Sequence, residues 1–327
     1  MKPKVFISEP VPQEVEEYIS KFCDYKIWKE KYPIPKEILY KETKDIDGLM
    51  TPKGVITEEF LENSPNLKIV SNIAVGYEAF DIKAMKERKV LGTHTPYVLD
   101  ETVADLAFGL ILMTARKLGE LDQYVKSGKW HKSDNQKFLG QDVHHSTLGM
   151  IGMGRIGEKV ARRATFGFNM NVLYHTRNRR PQLEESYGIK YSNIESLLEN
   201  SDFVLLMLPL TDATYQLIGQ EQFKLMKQSA FFINCSRGKI VDEKALIHAL
   251  ETKEISGAGL DVFEVEPVDK DNPLLKMQNV VTLPHIGSAT EKTRFNMVMK
   301  AAENLVAGVT NQVPPDVVDE LRELLEN

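Results

Sequence analysis

The stretch Gly152-Met153-Gly154-Arg155-Ile156-Gly157 decides the fold of this chain. It follows an apolar run, Thr147–Ile151, and leads into a helical pattern that starts at Glu158. Strand, glycine-rich turn and helix, in this order, are the context of a dinucleotide site. The first glycine permits a tight turn, the second lets a pyrophosphate approach the backbone, and the third lets helix and strand pack closely. The same pattern can be purely structural, but its context predicts dinucleotide contacts at Gly152, Gly154, Arg155, Ile156 and Gly157.

The residues after the next apolar run indicate which dinucleotide binds. An Asp or Glu at this place would hydrogen-bond the ribose 2′-hydroxyl of NAD. Here His175 takes the place, and a basic loop with three arginines, 176–180, follows it. Such a loop could simply be solvated, but it suits a 2′-phosphate, with roughly 1.5–3 kcal/mol for each charge-assisted hydrogen bond. We therefore predict NADP, with NADPH preferred over NADH, and cofactor contacts at His175, Arg177, Asn178 and Arg179.

Length, charge and cysteine content exclude several classes of function. The chain has 327 residues, which suggests two domains, and 42% of them are hydrophobic, which is enough for a core in each. A net charge of −6 argues against a nucleic-acid-binding protein. Cys23 and Cys235 are not at metal-ligand spacing, and no apolar run reaches membrane-spanning length. We therefore expect a cytoplasmic protein with no metal, nucleic-acid or membrane partner.

Apolar strand candidates alternate with helical segments along most of the chain, five of them before residue 94 and six between residues 147 and 283. This alternation predicts an α/β fold with two doubly wound parallel-sheet domains, a flavodoxin-like substrate domain and a Rossmann dinucleotide-binding domain. A long helical pattern runs from Leu99 to about Leu118, and the segment after about Thr290 is helical again. The Rossmann domain, 99–290, is therefore predicted to be inserted between 1–98 and 291–327, which form the substrate domain.

Polar and charged residues follow three predicted strands of the second domain. Arg237 comes after the apolar run 230–233, Glu266 follows the strand 257–261, and His285 follows 280–283. Ligands bind at the carboxyl ends of such strands. Arginine can bind a carboxylate or polarise a carbonyl, and a histidine with a carboxylate beside it suits a proton donor near neutrality. Each residue alone could be structural, but their shared position at one sheet edge predicts a catalytic site.

Four motifs in order, GMGRIG (152–157), NCSRG (234–238), GLDVFEVEP (259–267) and LPHIGSAT (283–290), resemble those of the D-isomer-specific 2-hydroxyacid dehydrogenases. The likeness extends to SNIAVGY (71–77) and DETVAD (100–105), and it covers nearly the whole chain. Within the family, the chain most resembles the glyoxylate/hydroxypyruvate reductases and the bacterial 2-ketogluconate reductases. The resemblance implies an NAD(P)-dependent oxidoreductase that reduces short 2-oxo acids to D-2-hydroxy acids.

The resemblance also implies roles for individual residues. The catalytic Arg, Glu and His of the family fall on Arg237, Glu266 and His285. Arg237 and the backbone N–H groups of Val75 and Gly76 would hold the substrate carboxylate. His285 would protonate the carbonyl oxygen, and Glu266 would support its protonated form. Further cofactor contacts are implied at Thr102, Pro209, Thr214, Cys235, Ser236 and Asp261, and further substrate contacts at Met50 and Ser288.

The sequence leaves alternatives open both for the substrate and for the class of function. The small polar loop from Met50 to Lys53 suits glyoxylate, hydroxypyruvate or 2-ketogluconate. D-lactate and phosphoglycerate dehydrogenases are other members of the family that the chain resembles, and they remain alternatives. Corepressors that resemble this family bind NAD(H) as nucleotide-sensing scaffolds and can keep the same Arg, Glu and His. The basic loop and the lack of long extensions favour the reductase. In similar reductases a tryptophan near Trp130 reaches the active site of the partner subunit, which implies a homodimer with residues 118–141 as an exchanged arm.

Overall fold

Two parallel sheets organise the chain, each in its own unit. The computed structural model describes residues 1–30, 33–52, 54–134 and 138–326. One unit consists of residues 1–99 and 290–327, and the other of residues 100–289. The strands are β1 (Lys4–Ile7), β2 (Asp24–Ile27), β3 (Gly48–Thr51), β4 (Ile69–Asn72), β5 (Leu91–Thr93), β6 (Thr147–Ile151), β7 (Asn171–His175), β8 (Lys190–Tyr191), β9 (Phe203–Leu206), β10 (Phe231–Asn234), β11 (Gly257–Leu260) and β12 (Val280–Thr282).

The strand orders confirm the predicted α/β class. The first unit has the order β2-β1-β3-β4-β5, which is that of flavodoxin-like folds, and the second has β12-β11-β10-β9-β6-β7-β8. All pairings between these strands are parallel. The prediction of six strands in the second sheet is wrong by one, because β8 adds a seventh. Both β8 residues are exposed, so this strand has no apolar run that sequence periodicity could detect.

Helices cover the sheets and connect consecutive strands. The helices are α1 (Gln13–Phe22), α2 (Lys36–Thr43), α3 (Glu58–Asn63), α4 (Ile82–Glu87), α5 (Asp100–Ala115), α6 (Leu118–Lys126), α7 (Arg155–Phe168), α8 (Pro181–Tyr187), α9 (Ile194–Asn200), α10 (Gln220–Leu225), α11 (Glu243–Glu251) and α12 (Glu291–Val309). In the described part of the chain, no helix is long and apolar enough to cross a membrane.

The helix predicted from Leu99 to about Leu118 is shorter than expected. It ends at Ala115, and Lys117 adopts a left-handed conformation with φ of +53° before α6 begins. The helical pattern continues through this break, so periodicity alone extends the helix too far. The predicted helix after Thr290 is present as α12, and the Thr290 side chain caps it by accepting from Thr293 N.

The buried faces of these elements form a core in each unit. In the second unit, the consecutive sheet strands β10, β9 and β6 are buried on both faces, which explains their nearly continuous apolar sequences. Helix α7 buries a stripe that contains Val160, Ala161 and Ala164. In the first unit, α12 packs on β3 and β4. Because the strands are packed into these cores, their carboxyl ends, where the candidate residues lie, are rigid.

Candidate active site

The turn between β6 and α7 is tight and brings the start of α7 close to the sheet. Gly152 has φ of +110°, and a Cβ there would collide with the carbonyl of Met207. A Cβ on Gly157 would meet the carbonyl oxygen of Gly152 at 2.7 Å, so helix and strand are as close as predicted. A Cβ on Gly154, by contrast, would point into open space. The turn therefore leaves room for a ligand at Gly154, beside the N-terminus of a 14-residue helix.

The arginine of this turn is held by a carboxylate that sequence reasoning did not single out. Arg155 Nε donates to Asp100 Oδ2 at 3.2 Å. Asp100 is the first residue of α5 and is only 5% exposed, and its burial raises the pKa of its carboxyl group. Its second oxygen, Oδ1, has no hydrogen-bond partner among the described residues. Asp100 therefore orients Arg155 at the start of α7, and Thr102, a predicted cofactor contact, lies in the same first turn of α5.

The arginines of the basic loop after β7 differ in whether they form ion pairs within the protein. Arg179 makes a bidentate pair with Glu184, with Nε–Oε1 at 2.7 Å and Nη2–Oε2 at 2.6 Å. Hydrogen bonds from Arg179 and then from the Tyr174 hydroxyl lower the pKa of Glu184 to about 2. Arg177 is exposed and has no ion-pair partner within the described ranges. The third arginine of the loop, Arg180, lies with Nη2 at 3.7 Å from Glu158 Oε2. Arg177 is therefore the arginine of this loop without an ion pair in the described part of the chain.

Other predicted cofactor residues lie at the end of β7, in the basic loop and in the loop after β9. His175 is the last residue of β7, and its Nδ1 lies 3.0 Å from the carbonyl oxygen of Ser192. Asn178 is exposed in the basic loop. The Thr214 hydroxyl donates to the carbonyl of Pro209 at 2.7 Å, which closes the loop after β9.

The three predicted catalytic residues come from neighbouring strands. β10, β11 and β12 are adjacent in the sheet, and Asn234 pairs with Leu260, which in turn pairs with Thr282. The segments that carry Arg237, Glu266 and His285 leave these strands at their carboxyl ends. The structure therefore brings the three segments to one edge of the second sheet, as parallel strands require.

The turn that carries Arg237 is organised by Asn234. The buried Asn234 side chain accepts hydrogen bonds from the backbone N and the hydroxyl of Ser236, at 3.0 and 2.9 Å. Its amide group donates to the carbonyl of Arg237 at 3.1 Å. Arg237 Nη1 donates to the carbonyl of Ser236 at 2.8 Å, and its side chain is partly exposed. The guanidinium is thus fixed at the strand end and can contact a ligand.

His285 and Glu266 form the central pair of the site. His285 Nδ1 lies 2.7 Å from Glu266 Oε2, and the other carboxylate oxygen accepts from Phe263 N at 3.2 Å. The histidine and glutamate side chains are 38% and 28% exposed. A carboxylate can only accept, so Nδ1 carries a hydrogen. The second ring nitrogen, Nε2, is therefore the one that can exchange a proton with a ligand.

The loop of His285 wraps around a buried carboxylate. Asp261 is 1% exposed, and its oxygens accept from Ile286 N and Gly287 N at 2.8 and 3.0 Å. Its backbone carbonyl accepts from His285 N at 2.9 Å. Burial raises the pKa of Asp261. Sequence reasoning assigned Asp261 to the cofactor, and that stays a prediction; its part in shaping the His285 loop was missed, since such backbone contacts leave no sequence pattern.

Cys235, beside the Arg237 turn, adds no nucleophile to the site. Cys235 is buried, and burial raises the pKa of its thiol, followed in effect by the charge of Asp261. A thiol in such surroundings is inert as a nucleophile. Among the described residues, no group of three or more His, Cys, Asp or Glu side chains is placed to hold a metal ion.

The predicted substrate residues differ in accessibility. In the first unit, Val75 and Gly76 follow β4 and are partly exposed, whereas Met50 is fully buried in β3. In the second unit, Ser288 follows the His285 loop and is partly exposed. Lys53, which sequence reasoning placed at the far end of the substrate, lies outside the described residues.

Most of the second unit matches a known protein family. Residues 108–287 match the family model "D-isomer specific 2-hydroxyacid dehydrogenase, NAD binding domain". This stretch contains all three candidate catalytic residues and the GMGRIG turn.

Similar proteins cover nearly the whole chain. The glyoxylate/hydroxypyruvate reductase B of Escherichia fergusonii is 46% identical over 98% of this chain and 98% of its own. The glyoxylate reductase of Korarchaeum cryptofilum is 45% identical over 98% of this chain and 97% of its own. A solved structure from Sinorhizobium meliloti, an NADPH-dependent glyoxylate/hydroxypyruvate reductase in complex with NADP and malonate, superposes with a TM-score of 0.85 at 30% identity and covers 98% of both chains.

Proposed function

Because this chain belongs to the D-isomer-specific 2-hydroxyacid dehydrogenase family, we propose that it reduces glyoxylate and hydroxypyruvate to 2-hydroxy acids with NADPH, of D configuration where the product is chiral, and accepts 2-ketogluconate as a further substrate. The coarser activity, NAD(P)-dependent reduction of 2-oxo acids, follows from the family and from its curated relatives. The observation that carries the finer proposal is the His285–Glu266 pair beside the Arg237 turn at one sheet edge.

Each catalytic side chain has a chemical task in this proposal. When bound, the reduced nicotinamide supplies the hydride that the carbonyl carbon accepts. Arg237 polarises the keto oxygen, on which negative charge develops, and contacts the substrate carboxylate. His285 gives the proton on Nε2 to that oxygen. Glu266 keeps the ring oriented and offsets the positive charge that the imidazole carries before transfer.

The substrate carboxylate has proposed donors in the first unit as well. The backbone N–H groups of Val75 and Gly76 lie in a partly exposed loop after β4. Adjacent backbone N–H groups form concave sites for anions. We assign them to the carboxylate of the 2-oxo acid.

The preference for NADPH rests on the basic loop after β7. No acidic side chain occupies the end of this strand, where His175 stands. Arg177 is free of ion pairs within the described ranges and supplies a charge for the 2′-phosphate, with Asn178 beside it. Arg179 is held by Glu184, so it contributes less than its charge suggests.

We also propose that the protein is a homodimer. Four apolar side chains of the arm are 49% to 72% exposed, which is unusual for large apolar groups so close in sequence. They are Leu118, Val125, Trp130 and Leu139. A second copy of the chain would cover this apolar surface.

The experiment that tests the function is a parallel assay of NADPH and NADH oxidation with glyoxylate, hydroxypyruvate and 2-ketogluconate. Fast turnover of the first two with NADPH supports the proposal. A clear preference for NADH contradicts the role of the basic loop. Absence of turnover with all three substrates points to a different 2-oxo acid or to the scaffold alternative, which the reductase names of the curated relatives do not favour.

A further inference from the structure

The loop after β4 has three consecutive carbonyl groups that are each held by a hydrogen bond. The carbonyl of Ala74 accepts from Thr95 N at 2.9 Å. The carbonyl of Val75 accepts from His94 Nδ1 at 2.9 Å. The carbonyl of Gly76 accepts from Asn72 Nδ2 at 2.7 Å. Each peptide plane is rigid and joins a carbonyl to the N–H group of the next residue. Fixing the carbonyls of Ala74 and Val75 therefore also fixes the directions of the Val75 and Gly76 N–H groups.

The N–H groups of the same loop are not used by the protein. Within the described ranges, neither Val75 N nor Gly76 N donates a hydrogen bond, although both residues are only partly exposed. Partly buried N–H groups without a protein partner are rare unless water or a ligand binds them. The loop thus directs its acceptors at the protein and leaves its donors for an anion.

Besides the backbone N–H of Thr95, two side chains contribute to this arrangement, and both are set in rigid surroundings. Asn72 is the last residue of β4 and is 4% exposed, so its amide has few alternative positions. A second, weaker contact of the same amide reaches the carbonyl of Ala74 at 3.5 Å. His94 directly follows β5, and its backbone N–H donates to the carbonyl of Asp316 at 3.2 Å. The bond to a carbonyl requires that His94 Nδ1 carries the hydrogen.

We propose that Asn72 and His94 are positioning residues for substrate recognition, which keep the Val75 and Gly76 N–H groups directed at the carboxylate of the 2-oxo acid. His94 holds the Val75 carbonyl, whose peptide plane includes the Gly76 N–H group. Asn72 links the Ala74 carbonyl, whose plane includes the Val75 N–H group, to the Gly76 carbonyl at the other end of the loop. This inference rests on the proposed function and deepens it. Neither side chain needs to contact the substrate. Their effect is preorganisation, because a loop that is already fixed loses less conformational freedom when the carboxylate binds.

The test is a comparison of Asn72→Ala with Asn63→Ala. Asn63 is the matched control because its side-chain amide also donates to a backbone carbonyl in this unit, that of Tyr40 at 2.6 Å, but outside this loop. We expect Asn72→Ala to raise the KM for glyoxylate about tenfold or more, and to change kcat and the Kd for NADPH less than about threefold. The Ki of oxamate, an unreactive mimic with the same carboxylate, should rise in parallel. Asn63→Ala should leave KM and Ki unchanged.

A second pair of variants guards against a folding defect at the buried Asn72. His94→Ala removes the donor to Val75, whereas His94→Asn retains an N–H at nearly the place of Nδ1. We expect His94→Ala to raise the KM for glyoxylate and His94→Asn to restore it to within about threefold of the wild type. Equal KM values for the two variants would overturn the assignment of His94.

The outcomes separate this inference from the proposed function. If the wild type reduces glyoxylate and Asn72→Ala keeps its KM and its Ki, the positioning role is wrong and the function stands. If the wild type reduces none of the three 2-oxo acids, the proposed function fails. Calorimetric titration with oxamate then still decides the inference, since no binding, or equal affinity of wild type and Asn72→Ala, contradicts it.

Discussion

The geometry of His285 illustrates how single residues of this site depend on their neighbours. Its backbone has φ of +55°, a left-handed conformation that side-chain-bearing residues seldom adopt. Three hydrogen bonds from the segment 285–287 to Asp261 hold the loop in this form. The conformation places Nδ1 on Glu266, so Nε2 is the ring nitrogen to which the proposed proton transfer is assigned. The cost of an unusual backbone conformation is of order 1–3 kcal/mol, which the Asp261 contacts offset.

Replacement of His285 by glutamine should separate chemistry from binding. The glutamine amide cannot give up a proton near neutrality, so we expect kcat for glyoxylate to fall by about 10²–10⁴-fold in His285→Gln. The Kd for NADPH should stay within about threefold of the wild type. Steady-state kinetics and cofactor titration measure the two quantities, with His248→Gln, an exposed histidine of α11, as the control. An equal loss of turnover and cofactor affinity would argue against a proton-donor role.

Removal of Arg177 should change the choice of cofactor. Loss of one charge-assisted contact to the 2′-phosphate, roughly 1.5–3 kcal/mol, corresponds to a fall of about 10–150-fold in kcat/KM for NADPH in Arg177→Ala. The value for NADH should hardly change, because NADH lacks this phosphate. Arg179→Ala should have a smaller effect, since its partner is Glu184. Exposed Arg162 on α7 provides the control, Arg162→Ala. Similar losses with both cofactors in Arg177→Ala would contradict the proposal.

At the scale of elements, the β6–α7 turn shows two glycines with different tasks. Gly152 is required by the protein itself, because of its positive φ and the approach of the Met207 carbonyl. Gly154 meets no protein atom that would exclude a side chain. The space beside Gly154 is compatible with the predicted cofactor contact at this residue, which stays a prediction.

Alanine at the two glycines should give opposite results. Gly154→Ala should keep the melting temperature close to that of the wild type but weaken NADPH binding about tenfold or more, because the new methyl group takes space from the pyrophosphate. Gly152→Ala should lower the melting temperature by several degrees, since φ of +110° is strained for alanine. Thermal unfolding and cofactor titration of both variants measure this. Unchanged cofactor affinity in Gly154→Ala would remove the support for a pyrophosphate at this turn.

The elements also show where sequence patterns stop being informative. Strands with buried apolar runs, such as β6 and β10, were predicted nearly to the residue. The two-residue β8 was missed because both of its residues are exposed. The break at Lys117 was missed because helical periodicity continues from α5 into α6. Sequence periodicity reflects which residues are buried, and neither the exposed strand β8 nor the break at Lys117 results from burial.

At the scale of the whole molecule, the proposed homodimer would cover the exposed apolar side chains of the arm. We expect the wild type to have about twice the 37.1 kDa chain mass in solution. The double variant Val125→Asp/Trp130→Ser should shift it to the monomer, because a charge would be buried in an apolar interface. Phe166→Ser, which removes a 60% exposed aromatic of α7, is the control and should remain dimeric. Light scattering coupled to size-exclusion chromatography decides; a monomeric wild type would refute the dimer.

The amino-acid sequence by itself determined the fold class, the dinucleotide turn and the identity of the candidate catalytic residues. These features depend on local patterns: apolar runs, glycine spacing, and the rule that ligands meet the carboxyl ends of parallel strands. The tertiary structure alone decided which groups hold one another, such as Arg179 with Glu184 and Asn72 with the carbonyl of Gly76. A hydrogen bond depends on distances of a few tenths of an ångström between groups that only folding brings together, and no residue pattern encodes such distances.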